Sequence, residues 1–151
     1  MRERLHGDAD DQYEQHHEYD GCAGNNHDSA MTLAEKQHLF TILAVRLLRR
    51  AHKMGYGVAF GDALRSPEEA KRLTGTGAGI PNSLHCDRLA LDVILRRKNP
   101  STGKWDYLKN SEDYAALGKY WKKLDPLCRW GGDFTSRPDG NHFSLSHGGR
   151  A

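Results

Sequence analysis

The sequence predicts an α+β domain in which helices pack on a small, mostly antiparallel sheet. Three observations carry this: a long amphipathic helix signature over residues 32–53, an apolar run at 89–95 suited to an internal strand, and short strand-like segments at 129–134 and 142–146 joined by turn residues. Thr32-Leu33-Ala34-Glu35 reads as a capping box, and Leu33, Phe40, Leu43, Leu47 and Leu48 then recur at helical spacing. Gly55 closes that helix, and residues 56–63 alternate loosely as a strand. Ser66-Pro67-Glu68-Glu69 is a second capping box with proline in the first turn, opening a short helix to about Leu73. A Gly-rich loop follows at 75–82, ahead of the internal strand. Turn chemistry at 99–104 leads to a short strand at 105–107. Residues 111–124 read as a third helix, with Tyr114, Leu117, Tyr120, Trp121 and Leu124 available for packing. No internal repeat is present.

Composition narrows the classes. A chain of 151 residues suits one domain with a real core. No stretch approaches the ~20 apolar residues of a membrane span, and mean hydropathy is −0.79. The start lacks the basic-then-apolar order of a secretory signal, so synthesis in the cytoplasm and export by another route are expected. The net charge of +2 conceals two halves: residues 1–30 hold two arginines against eight acids, net −6, and the other 121 hold 20 Lys+Arg against 12 Asp+Glu, net +8. A basic body suggests an anionic partner such as cell wall, membrane surface or nucleic acid. Residues 1–30 are poor in aliphatic side chains and hold His6, His16, His17 and His27; a disordered acidic tail is expected, with the domain at 31–151 and Met31 as an alternative start. Cys22, Cys86 and Cys128 show no paired spacing and describe no disulfide framework.

The residue least at home in its surroundings is Asp92, inside the apolar run Leu89-Ala90-Leu91-Asp92-Val93-Ile94-Leu95. An unpartnered buried carboxylate costs several kcal/mol, so something cationic should meet it. An Arg or Lys would do; a divalent metal is the sharper reading. His85 lies at the mouth of that strand, and His142 enters the last strand after Pro138-Asp139-Gly140-Asn141. Two imidazoles and a carboxylate form a common protein set for catalytic zinc.

The wording of four segments decides between these readings. Ser83-Leu84-His85-Cys86-Asp87-Arg88-Leu89-Ala90-Leu91-Asp92 resembles the Ser-x-His-…-Ala-x-Asp signature of the zinc peptidase family that comprises VanY-like D-Ala-D-Ala carboxypeptidases and phage L-alanyl-D-glutamate endopeptidases. Asp139-Gly140-Asn141-His142-Phe143 is similar to its second signature, Asp/Glu-x-x-His-Phe. Trp130-Gly131-Gly132-Asp133-Phe134 and Gly61-Asp62-Ala63-Leu64-Arg65-Ser66-Pro67-Glu68 resemble elements of the endolysin branch. The four stand in family order, and the resemblance covers roughly residues 33–146. Arg88 departs from the pattern, since many carboxypeptidase members carry Gly there; the acidic tail has no family counterpart.

The resemblance implies a hedgehog/D-Ala-D-Ala peptidase-like fold and one zinc ion held by His85, Asp92 and His142, with water as nucleophile. Asp139 occupies the family's general-base position; on its own it reads as a turn-forming Asp. Arg65 is a candidate to bind a substrate carboxylate or stabilise the oxyanion, against a salt bridge to Glu68 or Glu69. Ser83 is a candidate to contact substrate or hold the loop near His85, and Asp133 to support the site or bind a cation. Cys86 is excluded as a ligand. Trp130, Gly131 and Gly132 are expected to shape the cleft floor, and Tyr120 and Trp121 to pack in the core.

The expected function is hydrolysis of peptidoglycan stem peptides, as a monomeric phage-type L-alanyl-D-glutamate endopeptidase released through a holin-type membrane lesion. A D-Ala-D-Ala carboxypeptidase keeps the fold and metal but moves the bond. A non-catalytic binding protein using the basic surface is the third reading; for nucleic acid no helix-turn-helix or zinc-finger spacing supports it.

Overall fold

The computed structural model describes residues 30–77 and 79–151, so the tail expected at 1–30 lies almost wholly outside the described residues. Helix α1 spans Leu33–Lys53, and Thr32 and Glu35 close the capping box in both directions. Strand β1 is Gly57–Phe60 and helix α2 is Pro67–Gly75, whose Ser66 cap accepts from the Glu69 amide. Strand β2 is Ala90–Lys98 and β3 is Trp105–Tyr107. The expected third helix opens as a 3-10 turn, Ser111–Tyr114, before the α-helix α3 at Ala115–Leu124. Strand β4 is Cys128–Trp130 and β5 is His142–Leu145. The strand expected at 129–134 therefore stops at Trp130, and Gly131–Asp133 turn as a 3-10 helix.

The five strands form one antiparallel sheet in the order β1-β2-β5-β4, with β3 also paired to β2. β2 is the hub. One edge meets β1; the other meets β5 over 90–92 and β3 over 96–98. Between those two partners the Leu95 amide donates to the Tyr114 hydroxyl, which donates onward to the Leu108 carbonyl, each at 3.1 Å. A side chain thus satisfies a backbone donor that no strand reaches.

Alternation along β2 sorts its side chains. Leu91, Val93 and Leu95 are buried, and they join Leu39, Phe40, Leu43 and Leu47 of α1 with Leu117 and Trp121 of α3 in the core. The even positions Asp92, Ile94, Arg96 and Lys98 turn to the other face and grow more exposed along the strand. Trp121 is fully buried, its indole N–H shared by the Arg129 and Ser144 carbonyls. Sequence reasoning missed Lys36, fully buried on the same helical face as Phe40, Leu43 and Leu47. Its ammonium lies 3.5 Å from the Ser146 carbonyl and 3.3 Å from His147 Nδ1. Cys86 and Cys128 are both free thiols, and no helix among the described residues is long and apolar enough to cross a membrane.

Candidate active site

The antiparallel register of β2 and β5 sets Asp92 opposite His142. His85 arrives from the turns that precede β2, where the Leu89 amide closes back on the Leu84 carbonyl at 3.0 Å. One oxygen, Asp92 Oδ1, lies 3.3 Å from His85 Nε2 and 3.0 Å from His142 Nδ1. The rings of the two histidines stand edge to face with centroids 5.1 Å apart. One ligand atom from each residue lies within 4.8 Å of the other two. On the far edge of β2 the chain passes so close that a Cβ on Gly61 would meet the Asp92 Cβ at 2.9 Å, so glycine is required there.

Electrostatics favour a charged Asp92. Burial alone would raise its pKa, but the hydrogen bonds from His142 and His85 outweigh it and hold the carboxyl down at about 2. His85 is 2% exposed, and its second nitrogen, Nδ1, is buried without a hydrogen-bond partner among the described residues. Two imidazole nitrogens converging on an ionised oxygen fit a divalent cation by donor chemistry, and a lone Arg or Lys does not sit among them. Cys86 lies beside His85 in sequence but its sulfur is 4.0 Å from the Ser66 carbonyl, outside the cluster.

The cluster opens into a cleft of about 580 Å³ whose walls include Arg65, Ser83, Asp133, Phe134 and Asp139. Asp139 sits on the turn before β5, and that turn is pinned from three directions. The Gly131 carbonyl accepts from the Asp139 amide at 2.8 Å, the Ser111 hydroxyl from the Gly140 amide at 3.1 Å, and the Trp130 indole donates to the Gly140 carbonyl at 2.7 Å. Although the turn is exposed, burial of the carboxylate in the cleft raises the Asp139 pKa, and the nearby Asp92 charge raises it further. The cleft therefore holds one carboxylate pushed down and one pushed up, the usual mark of divided acid and base roles.

Residues 76–145, which include Ser83, His85, Asp92, Asp139 and His142, match the family model described as D-alanyl-D-alanine carboxypeptidase. The matched stretch is 70 of the 151 residues, and over it the chain resembles that peptidase family. In fold it is similar to the crystal structure of the Serratia marcescens L-Ala D-Glu endopeptidase ChiX, at 22% identity and a TM-score of 0.53, over 68% of this chain and 77% of that one. Comparison with curated proteins gives no match.

Arg88, where many carboxypeptidase members carry Gly, has a left-handed φ of 55°. The position asks for glycine conformationally, and the arginine there carries a strain of about 1–2 kcal/mol. Arg65 does not pair with Glu68 or Glu69. Its Nε and Nη2 both donate to Asp62 Oδ2, at 3.1 and 2.5 Å, while Glu69 is engaged by Arg72. Two residues past β1, Asp62 was closer in space than the helix acids that sequence proximity suggested. Arg65 also ties the loop to the site, its backbone N–H donating to the His85 carbonyl at 3.3 Å. Ser83 is buried, and its hydroxyl accepts from the His85 amide at 3.3 Å and from Arg65 Nη1 at 3.5 Å. Asp133 pairs with Lys122 at 2.5 Å and is half-exposed at the cleft wall. Trp130 is not the cleft floor: it is buried behind it, packed between Gly118 and Gly132, and acts on the site through the Asp139 turn.

Proposed function

We propose that this chain is a zinc-dependent peptidase that hydrolyses peptidoglycan stem peptides, cutting the bond between L-alanine and D-glutamate. The observation that carries the reading is the juxtaposition of a buried His85–Asp92–His142 cluster with the Asp139 carboxylate in one cleft. His85, Asp92 and His142 would hold one zinc ion per chain, and other divalent metals suit the same donors. Bound there, the ion supplies Lewis-acid polarisation and lowers the pKa of water.

The chain's own groups do the rest. Asp139 takes the proton of the attacking water on a carboxylate oxygen and delivers it to the departing amine nitrogen. Burial and the Asp92 charge raise its pKa, which makes the carboxylate a stronger base than an ordinary aspartate. Arg65, held by Asp62 and lining the cleft, binds the substrate carboxylate or the developing oxyanion. Ser83 keeps the His85 backbone in place and so acts by positioning. The cut bond divides two readings. The endolysin-type segments at 61–68 and 130–134 favour the endopeptidase, and the matched family description favours removal of terminal D-alanine. We further propose that the protein acts on the wall as a monomer, after release from the cytoplasm through a membrane lesion.

Digestion of purified murein by the wild type and by Asp139→Ala, with products read by mass spectrometry, tests this. New L-alanine carboxyl ends and D-glutamate amino ends, absent with the variant and with chelator, are expected. Release of single D-alanine would move the activity to the carboxypeptidase branch. No cleavage by a zinc-loaded wild type would sink the catalytic reading.

A further inference from the structure

The face of β2 that carries Asp92 does not end at the metal cluster. Ile94, Arg96 and Lys98 continue it, and Arg96 lies about 13 Å from Asp92 along the strand. The register sets Tyr107 opposite Arg96 and Trp105 opposite Lys98, so both aromatics share this face. Trp105 and Tyr107 are 50% and 48% exposed, unusual for large aromatic side chains. Trp105 is seated: Gly57 lies opposite Arg96 on β1, and a Cβ there would meet the Trp105 ring at 3.0 Å. One side of the indole rests on bare backbone, which holds the ring in place. Lys109 stands 5.9 Å over the Tyr107 ring. Asp106, between the aromatics, alternates to the opposite face and accepts from Asn99 Nδ2 at 2.9 Å. A hollow of about 350 Å³, lined in part by Tyr107, Lys109 and Asn141, lies next to the cleft, and Asp139 lines both.

We propose that this open face of the β2–β3 ribbon is a docking platform for the polymeric wall, taking amino-sugar rings on Trp105 and Tyr107 and stem-peptide carboxylates on Arg96, Lys98 and Lys109. The proposal rests on the peptidoglycan reading above and gives the substrate a second point of attachment. Aromatic faces suit the apolar faces of sugar rings, and the cations complement an anionic polymer. The arrangement supplies targeting within the catalytic domain and leads bound polymer directly to Asp139.

The test compares sedimentation of the full chain with insoluble purified sacculi, with chelator present to stop cleavage, for the wild type, Trp105→Ala/Tyr107→Ala and Arg96→Glu/Lys98→Glu. Each double variant should bind sacculi at least about tenfold more weakly, with an unchanged melting curve. With zinc restored, activity should fall at least about tenfold more on sacculi than on a soluble stem tripeptide. Wild-type sedimentation by the folded variants, or equal losses on both substrates, would overturn the platform. So would wild-type binding to duplex DNA as tight as to sacculi. Should the aromatic variant not fold, the charge reversal at two exposed positions decides alone. A wild type that cuts no stem peptide defeats the proposed function, and the sedimentation result still judges the platform.

Discussion

Asp92 and Asp139 face the same cleft, yet their surroundings drive them in opposite directions. Asp92 is anchored in the central strand, and two imidazole donors overcome its burial, holding the pKa at about 2. Asp139 rides on a turn where only its backbone and its neighbours are pinned, so burial and the Asp92 charge raise its carboxyl. The difference teaches that donors, and not burial, decide which carboxylate stays charged as a ligand. The one left without donors is free to exchange a proton.

The harshest way to break this contrast is Asp92→Asn. It removes the charge on which both imidazoles converge, and we expect loss of bound zinc and activity at background, checked by metal analysis beside the murein assay. Retained zinc and activity would show that Asp92 is not the anchor. Asp139→Asn should spare metal content and lower kcat by about 10²–10⁴-fold, the usual share of a general base. A matching loss of zinc would instead make Asp139 a ligand.

Titration sharpens the comparison. In the metal-free protein the Asp139 carboxyl should protonate at a higher pH than an ordinary aspartate, so it is neutral in a window where Asp92 is still charged. Because the Asp92 charge contributes to that rise, loading zinc should move the Asp139 midpoint down. Carbon-detected NMR of the side-chain carboxyls, with and without metal, checks both signs; an unmoved midpoint would remove the coupling. The smallest effect concerns the loop that brings His85 to Asp92. Arg88→Gly relieves a left-handed residue and should stabilise the fold by about 1 kcal/mol in denaturant unfolding, with the metal retained.

Much of this site was legible because its cues are local. A lone acid in an apolar strand, a histidine at the strand mouth and a histidine after Pro-Asp-Gly stood in plain view at Asp92, His85 and His142. The capping box at Thr32 and the N-cap at Ser66 marked their helices for the same reason, since these bonds settle the backbone within one turn. Long-range partners were not legible. Arg65 chose Asp62 over Glu68 and Glu69, Lys36 was drawn into the core, and Trp130 moved behind the cleft it was expected to line. The spacing of Lys36 to Phe40, Leu43 and Leu47 could have flagged the lysine, but nothing local names Ser146 or His147 as its neighbours.

By itself the sequence determined the α+β pattern, the order of elements, the resemblance to a peptidase family and the residue types that could meet a metal, because periodicity, capping and motif wording are properties of adjacent residues. Only the tertiary structure decided that β2 is the hub of the sheet, that Asp92 stands opposite His142, and that the same strand face runs on to Trp105 and Tyr107. Strand register joins residues 50 apart through backbone hydrogen bonds, and those bonds are blind to the sequence between them.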